Sequence, residues 1–114
     1  METEDIKEEL KLTREIARYY GLESRFNQME EEMSELTQVF CKYRRVKNGE
    51  MCRMSMEEVR ECIAEELADV YITLDQVLYL LDKEEWASFM CKLKEKSKKA
   101  HSEFKKKMEE MKNE

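Results

Sequence analysis

Met29-Glu30-Glu31-Glu32-Met33-Ser34-Glu35-Leu36, answered further along by Ile63-Ala64-Glu65-Glu66-Leu67-Ala68-Asp69-Val70, is the pair of stretches around which the chain is organised. Each half sets two carboxylates three residues apart beside an apolar stripe, a spacing that keeps both on one face of a helix. Glu32 goes with Glu35, and Glu66 with Asp69. Projected at about 100° per residue, Gln28, Glu32, Glu35, Val39 and Lys42 fall on one narrow strip, and Cys62, Glu66, Asp69, Thr73 and Gln76 on another. Two such helices lying side by side bring four acids to one groove. Carboxylates crowded in this way repel one another and resist ionisation. A divalent cation relieves the conflict, and oxygen-only ligands select magnesium or manganese. The expectation is a metal site that handles phosphates, with Glu32, Glu35, Glu66 and Asp69 as ligands.

Outward from these stretches the chain reads as helix throughout. Ile6, Leu10, Thr13, Ile16-Ala17 and Tyr20 recur at helical spacing over residues 3–20, and Gly21 suits the residue that ends a helix. Ser24 is the expected N-cap of the next helix, which runs to about Val46 with Phe26, Met29, Met33, Leu36, Phe40 and Tyr43 as its core stripe. Those three- and four-residue steps are the seam of bundle packing. Asn48-Gly49 marks a turn. Ser55-x-x-Glu58 is a capping box launching a third helix on Val59, Ile63, Leu67, Val70, Leu74, Val77-Leu78 and Leu81. Asp82-x-x-Glu85 starts a fourth, with Trp86, Phe89-Met90, Leu93, Ala100 and Phe104 on its apolar side and fraying expected after about residue 107.

Composition agrees with this architecture. Charged residues make up 42% of the 114, yet there is no proline and there are only two glycines, a combination that favours long helices with solvated faces over disorder. The length allows one domain with a small core, so help from other subunits is expected. A net charge of −6 excludes general nucleic-acid binding, which needs a basic surface. No apolar run reaches the length of a membrane span, and the start of the chain is acidic rather than signal-like. Cys41, Cys52, Cys62 and Cys91 show no CxxC spacing and have no histidine partner, which argues against zinc or a disulfide framework and for reduced thiols in a cytoplasmic protein.

Glu31-Glu32-x-x-Glu35-Leu36 followed by Glu65-Glu66-Leu67-Ala68-Asp69-Val70 resembles the bipartite signature of MazG-like nucleoside triphosphate pyrophosphohydrolases, in the all-α NTP pyrophosphatase superfamily. Tyr20-Gly21-Leu22-Glu23-Ser24, Cys41-Lys42-Tyr43-Arg44-Arg45 and Asp75-Gln76-Val77 fit the surroundings, and the match spans residues 16–100 or so of a single domain over 1–114. The resemblance implies a bundle of long antiparallel helices completed as a homodimer or homotetramer. It also implies magnesium-dependent hydrolysis of a (d)NTP between its α and β phosphates by an activated water. Magnesium, or manganese, would be held by Glu32, Glu35, Glu66 and Asp69, and Glu32 or Glu31 would accept the proton. Gln28 and Lys42, on the acid strip, are candidates for contact with the substrate. Lys92, Lys96 and Lys99 on the last helix stand where relatives hold the triphosphate.

Two rivals come from other classes. Di-iron carboxylate bundles need Glu-x-x-His pairs, and the one histidine, His101, completes none. A non-enzymatic helical interaction module explains the apolar seam but not why acids repeat beside it in both helices.

Overall fold

In the computed structural model, which describes residues 3–113, the described residues form four helices and no strand: α1 (Glu4–Tyr20), α2 (Leu22–Lys47), α3 (Met56–Leu80) and α4 (Lys83–Lys112). Their boundaries follow local chemistry. Thr3 caps α1 by accepting a hydrogen bond from the Ile6 N–H at 3.3 Å. Gly21 takes φ 87, donates to the Ala17 carbonyl at 2.8 Å, and serves as the last cap of α1 and the first of α2. That left-handed value is one few side chains tolerate, so the break between two helices falls on this residue. Because Gly21 already makes the turn, α2 begins at Leu22, earlier than the expected cap at Ser24. Ser24 lies inside the first turn, and its hydroxyl accepts from Arg25 Nη2 at 3.1 Å.

The later caps form as the sequence predicts. Glu58 N–H donates to Ser55 Oγ and Ser55 N–H to Glu58 Oε1, both at 3.1 Å. Asp82 and Glu85 make the same reciprocal pair at 2.8 and 3.0 Å. Past residue 107 α4 continues to Lys112, since lysine, glutamate and methionine are strong helix formers and nothing breaks the run.

The chain divides into two compact units, one holding α1–α3 and the other α4. Within the first, α2 runs antiparallel to α3. Arg25 Nη1 reaches Gln76 Oε1 at 3.1 Å near one end of the pair, and Glu35 meets Glu66 further along. α1 runs parallel to α3, with Gln76 Nε2 donating to the Thr13 carbonyl at 2.9 Å and Arg14 paired with Asp75. This is an up-down-up arrangement. Arg14 engages Asp75 through Nε at 3.0 Å and Nη2 at 2.9 Å, a two-bond fork that fixes the register of α1 on α3. Gln76 is 2% exposed and bridges Thr13 of α1 to Arg25 of α2, so one side chain ties three helices together.

What lies between the helices differs from expectation. Among the described residues the buried apolar side chains are Leu10, Ala17, Val39 and Val59, joined by Thr73 and Gln76. The stripe expected as the core of α2 is not enclosed: Phe26 and Met33 are each 44% exposed and Phe40 38%, while Met29, Leu36 and Tyr43 are half-buried. The hairpin turns the polar strip inward and the apolar stripe sideways. Tyr19 and Tyr20 stack edge to face on each other and are exposed. Among the described residues no helix is long and apolar enough to cross a membrane.

Candidate metal centre

The strips projected from sequence are the surfaces along which α2 and α3 pack. Val39 is buried on one, and Thr73 and Gln76 on the other. Thr73 satisfies its hydroxyl within its own helix, donating to the Asp69 and Val70 carbonyls at 3.1 and 3.0 Å. Between these apolar and self-satisfied positions lie the acids. Oxygens of Glu32, Glu35 and Glu66 all fall within 4.8 Å of one another, on side chains that are half-buried.

Asp69, the fourth expected ligand, is exposed and outside that trio, although its charge acts on Glu32. Glu31, expected as an alternative proton acceptor, is also exposed and adds its charge to both Glu32 and Glu35.

The electrostatics are those of a crowded acidic pocket. The Glu32 carboxyl is raised above the ordinary 4.5, first by desolvation, then by the charges of Asp69, Glu35 and Glu31. Its hydrogen bond from Gln28 pulls the other way. Glu35 is likewise raised by desolvation, then by the charges of Glu66 and Glu31. Gln28 Nε2 donates to Glu32 Oε1 at 2.7 Å, while the other oxygen, Oε2, is buried with no hydrogen-bond partner. Glu66 Oε2 is in the same condition. A buried carboxylate oxygen with no donor is costly, and two such atoms beside a third carboxylate are satisfied together by a cation. Gln28, a candidate for contact with the substrate, is bonded here to one of the acids and orients it.

The basic residues named from sequence are placed differently. Lys42 is half-buried two turns beyond Glu35 and lines a cavity of about 400 Å³ with Arg45, Met51, Cys52, Arg53 and Met54. Lys92 and Lys96 are exposed on α4, where with Glu95 and Lys99 they line a groove of about 310 Å³ in the second unit. Arg25 received no role from sequence. It sits one turn before Gln28 on the same strip, bonded to Gln76 and stacked over Tyr20 at 5.2 Å, with its Nε buried and unpartnered. Extending the projected strip by one turn would have found it. Arg14 and Asp75 gave no such signal, because a charge on an apolar-patterned helix reads as solvated until its partner is known.

No family model, curated protein or solved structure matches the chain.

Proposed function

We propose that the chain is a magnesium-dependent nucleoside triphosphate pyrophosphohydrolase that converts a (d)NTP to the monophosphate and pyrophosphate. The observation that carries the reading is the convergence of Glu32, Glu35 and Glu66 within 4.8 Å, with one buried oxygen each on Glu32 and Glu66 left without a partner. Three half-buried carboxylates make an oxygen-only donor set, which fits magnesium or manganese better than a softer metal. The choice of a nucleoside triphosphate among phosphate substrates comes from the resemblance of the two acidic motifs to those of MazG-like enzymes.

Glu32, Glu35 and Glu66 would hold the ion, with Asp69 beside them. When bound, magnesium supplies the positive charge that a polyanionic substrate requires in an acidic groove and makes water easier to deprotonate. Gln28 holds Glu32 by Oε1, while Oε2 is buried without a hydrogen-bond partner. Glu31, or Glu32 itself, accepts the proton of the attacking water. Lys42 meets a phosphate oxygen at the far end of the strip, and Lys92 and Lys96 belong to the same reading as contacts to the triphosphate. A homodimer or homotetramer goes with it.

The test is pyrophosphate release from a panel of ribo- and deoxyribonucleoside triphosphates, with and without magnesium, for the parent, Glu35→Gln and Asp69→Asn. The expected result is magnesium-dependent release that both substitutions lower by roughly a hundredfold or more. If no nucleotide is cleaved while both variants fold like the parent, the acids are a solvated face. The chain is then a helical interaction module.

A further inference from the structure

The second unit is the helix α4, and none of its residues is buried. Its side chains are sorted by kind around the axis. Projected at about 100° per residue, Trp86, Met90, Leu93, Ala100, Phe104 and Met111 fall within roughly 80°, an arc in which Ser97 is the single polar residue. Trp86, Met90, Leu93, Phe104 and Met111 are between 45% and 58% exposed. The next 60° or so on one side holds Lys83, Lys94, Lys98, Lys105 and Lys112, with His101 and no acid. Glu84, Glu95 and Glu109 lie opposite the apolar arc, and the other margin mixes both signs. Ten lysines against six glutamates make α4 basic in a chain whose net charge is −6.

We propose that α4 binds the surface of an anionic lipid bilayer, with its apolar arc sunk to the level of the headgroups and its lysine margin on the lipid phosphates. The helix lies in the plane of the surface and does not cross it, in keeping with the absence, among the described residues, of any helix long and apolar enough to span. This rests on α4 alone and holds whether or not the acids bind metal. Lys92 and Lys96, which the preceding reading gives to the triphosphate, are on the other margin and are not needed for it.

Three observations select a lipid surface as the occupant. The first is continuity: from Trp86 to Met111 the arc runs roughly 37 Å without a charge in it, whereas a helix held in a protein groove is gripped at a few anchors. The second is the placing of charge. Lysines beside an apolar arc bury their methylene stems and lift their ammonium groups to the phosphates. The acids opposite the arc are held away from a surface of their own sign. A run of basic residues on an amphipathic helix is the pattern that recognises anionic lipid. The third is segregation: the rest of the chain is strongly acidic, so an anionic surface attracts α4 and repels what α4 is joined to. That orientation keeps the acidic groove clear of the bilayer chemistry.

Trp86 is the one tryptophan of the chain and stands in the arc, so its emission reports insertion directly. The test is co-sedimentation of the full chain with vesicles of phosphatidylcholine, with and without phosphatidylglycerol, while Trp86 emission is followed. The expected result is capture by the anionic vesicles alone, with a blue shift, weakening as salt rises. Phe104→Glu should abolish capture. Lys94→Glu and Lys106→Glu change the net charge equally but lie on the lysine margin and on the far face. Lys94→Glu should weaken binding at least roughly tenfold, and Lys106→Glu far less. Should Phe104→Glu lose its helix by circular dichroism, the lysine pair decides. No capture by anionic vesicles overturns the proposal, as does equal capture by neutral ones or an equal effect of the two lysine variants. A doubled mass and a blue-shifted Trp86 without lipid, with no capture, would mean that a second copy covers the arc instead, and overturns it too. Pyrophosphate release is read separately, so the two readings can fail apart.

Discussion

Replacing Glu66 by Gln should make the metal-free protein more stable, whereas most substitutions at a packed position do the reverse. The amide keeps the shape of the side chain and removes one of three charges whose oxygens lie within 4.8 Å of one another. Against Glu32 alone, the repulsion at that separation is about 0.9 kcal/mol in a fully aqueous dielectric and about 3.5 kcal/mol at the effective value for sites near a protein surface. The side chains are only half-buried, so solvent screening brings the gain down to about 1 kcal/mol. Relief of Glu35, whose carboxyl the Glu66 charge helps to raise, acts in the same direction. A gain of 1 kcal/mol or so corresponds to a Tm higher by roughly 4–8 °C for a unit of this size. Magnesium should invert the order. The parent gains about 2.7 kcal/mol when the ion is at a hundred times its Kd, and a site reduced to two close carboxylates gains little. The assay is thermal unfolding by circular dichroism at equal protein concentration, in chelator and in excess magnesium. A variant less stable than the parent in chelator would refute the crowding argument. Equal stabilisation of both proteins by magnesium would refute the metal site.

Two further outcomes follow from the same geometry. Glu32 and Glu35 have carboxyls raised above 4.5, so the native state holds their protons more tightly than the unfolded chain does. Their contribution to stability is complete below the unfolded value and is lost as pH rises through the raised native values. In chelator, the parent's Tm should therefore fall, as pH rises above the ordinary 4.5, more steeply than that of a Glu32→Gln, Glu35→Gln double variant; parallel profiles would show that neither carboxyl is perturbed. Asp75→Asn should cost about 1–3 kcal/mol by breaking the fork from Arg14 that sets α1 on α3, read as a lower urea midpoint. An unchanged midpoint would mean that other contacts hold α1 in place.

Much of the fold was legible in the sequence because its signals are local. A capping box needs four residues, and both boxes are where Ser55-x-x-Glu58 and Asp82-x-x-Glu85 put them. The acid strips were legible for a related reason: spacing in a helix fixes which side chains share a face, and a short connection fixes the neighbour as antiparallel. That sufficed to bring Glu32, Glu35 and Glu66 together. It did not suffice for Asp69, which lies on the same projected strip but is exposed and outside that trio. The Arg25–Gln76–Thr13 chain and the Arg14–Asp75 fork were not legible, since each depends on the axial offset between helices, which no periodicity encodes.

The larger departure concerns which stripe turns inward, and it links the acids to the apolar face. Had Phe26, Met33 and Phe40 met Leu67 and Leu74 inside the hairpin, the polar strips of α2 and α3 would have rotated outward and away from each other. Glu32 and Glu35 would then face one side of the solvent and Glu66 another, with no shared groove. The observed rotation places Val39, Thr73 and Gln76 along the contact, and the carboxylates of Glu32, Glu35 and Glu66 converge on the same strips. It gives up apolar burial within the hairpin to do so. A pattern-based reading assigns the strongest hydrophobic seam to the intrachain core, because one chain has nothing else to bury it against. Here the seam is too regular to be incidental and too exposed to be a core, and the acids are close together because the seam is elsewhere. The acidic groove and the bare apolar face are therefore two results of one rotation about the helix axes.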